Sequence, residues 1–164
     1  MPVFNRNQAA RIKKRTWFFL DAVVEVEPGH FHRAGFGRFL LPHPPVVNWL
    51  LRRGLARDAY KKLCSEHEMG HLQALPFEAL YSVILVLVMI HNETNDVIGW
   101  LWVVASSFAA WEILAEIHTI RHVQSGYQCL YRDISLIPRS IFWGIALFLV
   151  LGGWVYVFRH TFIQ

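Results

Sequence analysis

In the stretch SEHEMGHLQALPFEALY, Ser65 to Tyr81, three residues fall in the order His-Glu-x-x-His: His67, Glu68 and His71. Residues four apart share one face of a helix, so the two imidazoles can reach a single metal ion. Glu68, beside them, can take a proton from a metal-bound water. In a histidine-rich chain the pattern arises by accident in roughly one sequence in fifty, so it needs partners. A catalytic zinc takes three protein ligands and keeps a fourth position for water. The candidates for the third are Glu112 and Glu116 in AAWEILAEIHTIRH, one helical turn apart.

These residues are held by apolar elements. With 54% hydrophobic residues and a mean hydropathy of +0.30, the 164-residue chain is too apolar for an ordinary soluble domain. Ser140 to Phe158 contains no charge and matches the length that crosses a hydrocarbon core of about 30 Å. Two further uncharged runs, Ala79–Asn92 and Val97–Trp111, are short alone but extend through apolar flanks. Acids near the end of a span, such as Glu112 and Glu116, are functional suspects.

Arginine and lysine crowd the chain before the first span and recur between the second and third, whereas the NETND connector, 92–96, has neither. The positive-inside rule then puts the N-terminus and the HExxH segment in the cytoplasm and the C-terminus outside. The basic residues suit anionic lipid rather than nucleic acid, because no binding motif accompanies them. WFFLDAVVEVEP carries acids and lacks a small-residue cleavage site, so it does not read as a signal peptide. Cys64 and Cys129 are too isolated for a disulfide framework and read as free thiols.

The expected fold is a mainly α membrane protein in one domain, 1–164: about three transmembrane helices, a small N-terminal β-hairpin and an active-site helix. The segments are a basic arm (1–15), a hairpin (16–41), cytoplasmic helices bearing HExxH (46–73), and spans at 74–92, 97–118 and 139–158. AVVEVE followed by Pro28-Gly29 predicts the hairpin, with Glu25, Glu27, His30 and His32 on its polar face and Val24, Val26 and Phe31 on its apolar face. Pro76 is expected to kink the helix as it enters the membrane.

Depth brings the candidates together. His71 and Glu116 lie nearly equal numbers of residues before and after Thr94 in the NETND turn, each about 33 to 35 Å along a helix. Glu112 lies one turn deeper, a difference that a kink at Pro76 absorbs.

HEMGH, a hydrophobic hairpin, then Glu-x-x-Ala-Glu resembles the integral-membrane gluzincins of the HtpX and CAAX prenyl-protease type, over about residues 63–122. The resemblance implies a Zn2+ peptidase with His67, His71 and Glu112 as ligands, Glu68 as general base and Ala115 as the small residue of a close helix contact. Glu116 stands where that family has Asp, a residue that orients a ligand histidine. The chain departs from the family in the charge of Glu66, just before the motif, and in its shorter length.

The second pair, His118 and His122, sits roughly 80 to 120° around the helix from Glu112 and does not readily share its metal. With Arg121 these are candidate stabilisers of a reacting carbonyl. His30, His32 and His43 are expected to be exposed. Glu78 shares a helical face with His67, but Pro76 leaves its direction open. The tryptophans read as interface belts and packing.

The function these features favour is a membrane-embedded zinc-dependent metalloendopeptidase acting at the cytoplasmic membrane boundary on a peptide or membrane-protein substrate, whose extended chain would pair with the hairpin edge. The alternatives are a di-iron hydroxylase or desaturase using both His-x-x-x-His pairs, and a non-catalytic membrane subunit.

Overall fold

A computed structural model describes residues 10–26, 32–43, 46–52, 54–92, 96–122 and 134–162. Four antiparallel strands come first: β1 (Ala10–Arg15), β2 (Asp21–Val26), β3 (His32–Phe36) and β4 (Phe39–His43), side by side in chain order. Then follow α1 (Val46–Arg52), α2 (Arg57–His91), α3 (Val97–His122) and α4 (Leu136–Phe162). The chain is mainly helical, and α2, α3 and α4 are each long and apolar enough to cross a membrane, as expected.

The sheet is larger than the expected hairpin. β2 and β3 pair as predicted, with Val24 opposite Ala34. Residues 10–15, expected as a loose basic arm, form β1. The physical reason lies across the ladder: Lys13 Nζ pairs with Asp21 at 2.8 Å and Arg11 with Glu25 at 3.4 Å, while Ile12 packs on the core. Exposed pairs of this kind add little energy, but they remove the like-charge repulsion that would keep ARIKKR extended in water. Gly37, at φ 61, makes the two-residue turn that lets Phe36 face Phe39. Glu27, His30 and Phe31 lie outside the described residues, as do residues 93–95 of the NETND connector and Cys129.

Ala22, Val24 and Val26 alternate toward one face of β2 and pack with Ala34 against Cys64, Met69 and Leu72 of α2. Each buried valine stabilises this contact by about 2 kcal/mol. The sheet is thereby fixed to the first turns of α2. Cys64 is buried and free.

α2 is a single helix of 35 residues that continues through Pro76. At 1.5 Å per residue it extends about 52 Å, against roughly 30 Å of hydrocarbon. The excess is about four turns, and HExxH lies toward the N-terminal end of the helix. α1 docks across the bundle through Leu51, which packs with Ala109 of α3 and with Phe142 and Ala146 of α4. Leu85, Met89, Val103 and Val157 form the core near the other end.

Small residues set the α3–α4 spacing. A Cβ on Gly153 would fall 2.5 Å from the Ser106 Cβ, and one on Gly152 2.6 Å from the Trp102 ring. Without water to drive helices together, such close approach is what holds spans in contact. Gly153→Val is therefore expected to separate α3 from α4 and cost about 1 to 3 kcal/mol, read as a lower melting temperature in detergent.

Candidate metal centre

His67 and His71 project from one face of α2 toward α3. Their approach depends on Gly70, where a Cβ would lie 2.8 Å from both the Cα and the carbonyl oxygen of Ala115. Ala115 is completely buried, the small residue of the close contact. α3 then brings both of its acids to the motif.

The two histidines are held in the same way. His67 Nδ1 lies 2.9 Å from Glu116 Oε2, and His71 Nδ1 lies 3.3 Å from Glu78 Oε1. With Nδ1–H donating to a carboxylate, Nε2 of each ring presents its lone pair outward. Both lone pairs meet Glu112, whose Oε2 lies 3.0 Å from His67 Nε2 and 3.8 Å from His71 Nε2. A proton on His67 Nε2 satisfies the shorter of these contacts as a hydrogen bond to Glu112, and a cation between the three atoms would satisfy all of them.

His67, His71 and Glu112 offer ligand atoms that all lie within 4.8 Å of one another, so the group could hold a metal ion. Tetrahedral zinc with donors at about 2.1 Å needs them about 3.4 Å apart, and the spacings of 3.0 and 3.8 Å straddle that value. Charge points the same way. Glu68, Glu78 and Glu116 are buried within this region and Glu112 is partly buried, while the one buried arginine among the described residues is Arg52. Carboxylates are withdrawn from water only when compensated; here the partners are Arg52 and the rings of His32, His67 and His71, and a divalent cation at His67, His71 and Glu112 would add to them.

Glu68, next to His67 on α2, leans toward the sheet and α1. Its Oε1 accepts hydrogen bonds from His32 Nδ1 and Asn48 Nδ2, each at 2.9 Å. Its Oε2 is buried and has no hydrogen-bond partner among the described residues, with His43 Nδ1 lying 3.7 Å away. One oxygen is thus clamped and the other is open.

Asn48 also accepts from Arg52 Nη1 at 2.7 Å, and Arg52 Nη2 donates to Glu116 Oε2 at 2.6 Å. A continuous polar path runs from Glu68 through Asn48, Arg52 and Glu116 to His67. Glu116 lies within hydrogen-bond distance of His67, and its side chain reaches Arg52 as well.

Several of these residues carry no clear signal in the sequence. His32, expected exposed on the polar face of the hairpin, is completely buried, because β3 lies against α2 and Glu68 supplies its partner. Asn48 and Arg52 read only as part of a short helix and its end. Glu78, whose direction Pro76 left open, turns inward to His71, as its eleven-residue spacing from His67 allows. His43 is partly exposed, and its ring lies 6.2 Å from that of His71.

His118, His122 and Arg121 are not in this cluster. The two rings stack at 3.8 Å, and with Arg121 they line a separate cleft. His118 Nε2 lies 3.8 Å from Glu66 Oε2. Glu66, the charge preceding the motif, is itself paired with Lys14 of β1 at 2.7 Å. It therefore ties α2 to the sheet.

Arg52→Met leaves Glu116 buried without its cation and is expected to destabilise the protein by about 3 to 5 kcal/mol. Adding Glu116→Gln should recover most of that loss in thermal unfolding, yet weaken metal binding by about 10- to 100-fold, because His67 loses its orienting charge. Comparison with protein-family models, curated proteins and solved structures finds no match to this chain.

Proposed function

We propose that this protein is a membrane-embedded zinc-dependent metalloendopeptidase of the integral-membrane gluzincin type, hydrolysing peptide bonds at the cytoplasmic membrane boundary. The observation that carries the reading is the convergence of the His67 and His71 Nε2 atoms on Glu112, each ring held from behind by its own carboxylate. His67, His71 and Glu112 would hold the ion. When bound, zinc supplies Lewis acidity, which polarises a carbonyl and makes water easier to deprotonate.

The chain's own groups supply the proton transfers. Glu68 receives the proton of the attacking water on Oε2, while His32 and Asn48 keep Oε1 in place and so fix where Oε2 points. The same carboxyl group then gives that proton to the departing amine nitrogen as the C–N bond breaks. Its surroundings exclude most water, which keeps the transfer between defined partners.

The substrate is an extended peptide or a segment of a membrane protein. β2 and β3 are interior strands, so pairing with the expected hairpin is open only at the outer strands, and β4 is the one that ends beside Glu68. A peptide hydrogen-bonded along β4 would pass His43, which can donate to the reacting carbonyl oxygen in place of His118, His122 and Arg121. The basic N-terminal segment favours a cytoplasmic site.

Purified full-length protein is expected to contain about one zinc per chain. Glu68→Gln should retain that zinc while hydrolysis of a model peptide stops, and His67→Ala should lose both. Two irons per chain would instead favour the hydroxylase reading, and absence of any metal from active or inactive protein would remove both enzyme readings.

A further inference from the structure

A cleft of about 630 Å³ opens on a different face of the α2–α3 pair from the histidine and glutamate cluster. Arg15 and Trp17 from the end of β1 and the turn after it, Phe77 of α2, and His118, Arg121 and His122 of α3 form its walls. The turn is tied to α2 at one level. The Trp17 backbone N–H donates to Gln73 Oε1 at 3.3 Å, its indole N–H donates to the Gln73 carbonyl at 2.8 Å, and its ring lies 5.7 Å from Phe77. Leu75, Phe77 and Leu80 are exposed from there on, so the cleft sits where α2 becomes apolar on its outer surface.

The turn carries a second, independent signal. Thr16 closes it, its N–H donating to the Leu20 carbonyl at 2.8 Å and its hydroxyl accepting from the Leu20 N–H at 2.9 Å. At the tip Phe19 has φ 70, a left-handed conformation that costs energy in any residue with a Cβ. Its side chain gains no burial in return, since Phe19 is 76% exposed and Trp17 56%. Within the fold the Phe19 ring meets the Arg15 guanidinium, and most of its apolar surface still faces outward. Facing a bilayer, that surface would be buried.

Charge lies directly behind that tip. The Arg15 guanidinium rests 5.7 Å over the Phe19 ring, and Arg121 and His122 are exposed on the opposite wall. The acid beside the cleft, Glu66, is already neutralised by Lys14. The surplus in the cleft is therefore positive, beside the first exposed apolar residues of α2.

We propose that this cleft binds the phosphate headgroup of an anionic membrane phospholipid while the Trp17–Leu20 tip inserts among its acyl chains. The site is independent of the metal centre.

Full-length protein in phosphatidylcholine nanodiscs containing a minor share of phosphatidylglycerol, released into native mass spectrometry, reports which lipid stays bound. Wild type is expected to retain phosphatidylglycerol preferentially. Arg15→Ala with Arg121→Ala should reduce that retention relative to phosphatidylcholine by roughly thirtyfold. Arg121→Gln alone, at an exposed position, should reduce it by roughly fivefold and keeps the test readable if the double variant fails to fold. Phe19→Gly relieves the left-handed strain, so it should melt no lower than wild type in detergent and yet retain less phosphatidylglycerol, a combination that a purely structural role would not give. Zinc content should be the same in all of them. Equal retention by the arginine variants, or no lipid preference in wild type, would overturn the proposal. So would release of the lipid by inorganic phosphate alone, which would mark a site for soluble anions.

Discussion

The contact between Gly70 and Ala115 is the constraint on which the rest depends. With a carbonyl oxygen and a Cα already where a Cβ on residue 70 would stand, α2 and α3 meet backbone to backbone at this level. Glutamate side chains are short compared with an ordinary interhelical separation of about 8 to 10 Å. Only at close approach can Glu112 and Glu116 reach opposite nitrogens of the same imidazole, as they do on His67. The glycine inside the motif is therefore a spacing device for the charges around it.

From that contact the remaining acids and bases fall into two layers. Glu116 and Glu78 stand behind the histidines and fix their rings; Glu112 stands in front. Beside the histidines on α2, Glu68 is held by the sheet and α1 through His32 and Asn48. Arg52 joins the layers, since its guanidinium donates to both Asn48 and Glu116. It is completely buried, and α1, a helix of seven residues, is too short to be stable alone. Leu51 gives α1 its apolar hold on α3 and α4, which places Arg52 between the layers.

Features that repeat or mirror one another are the legible ones. His67 and His71 announce themselves by helical spacing, and near-symmetric distances to the NETND connector are enough to set Glu112 and Glu116 beside them. The three spans are legible from uncharged runs. His32, Asn48 and Arg52 are not, because each is a single polar residue whose partner is decided by tertiary contact rather than by period. ARIKKR reads as an arm because its charges dominate its composition; the acids that neutralise it, Asp21 and Glu25, belong to another strand. His118 and His122 show the opposite failure, a spacing as good as that of the motif on a face of the helix that the other acids do not share.

Because the three ligand atoms come from two helices separated by the length of a membrane hairpin, their convergence has a timing as well as a geometry. During synthesis the HExxH segment leaves the ribosome dozens of residues before Glu112, and α1, whose apolar hold is on α3 and α4, cannot settle beside Glu68 until those helices are made. The site is completed when α3 packs against α2. A nascent chain therefore lacks this cluster of three residues until α3 has packed against α2, and a chain in which that packing fails never forms it.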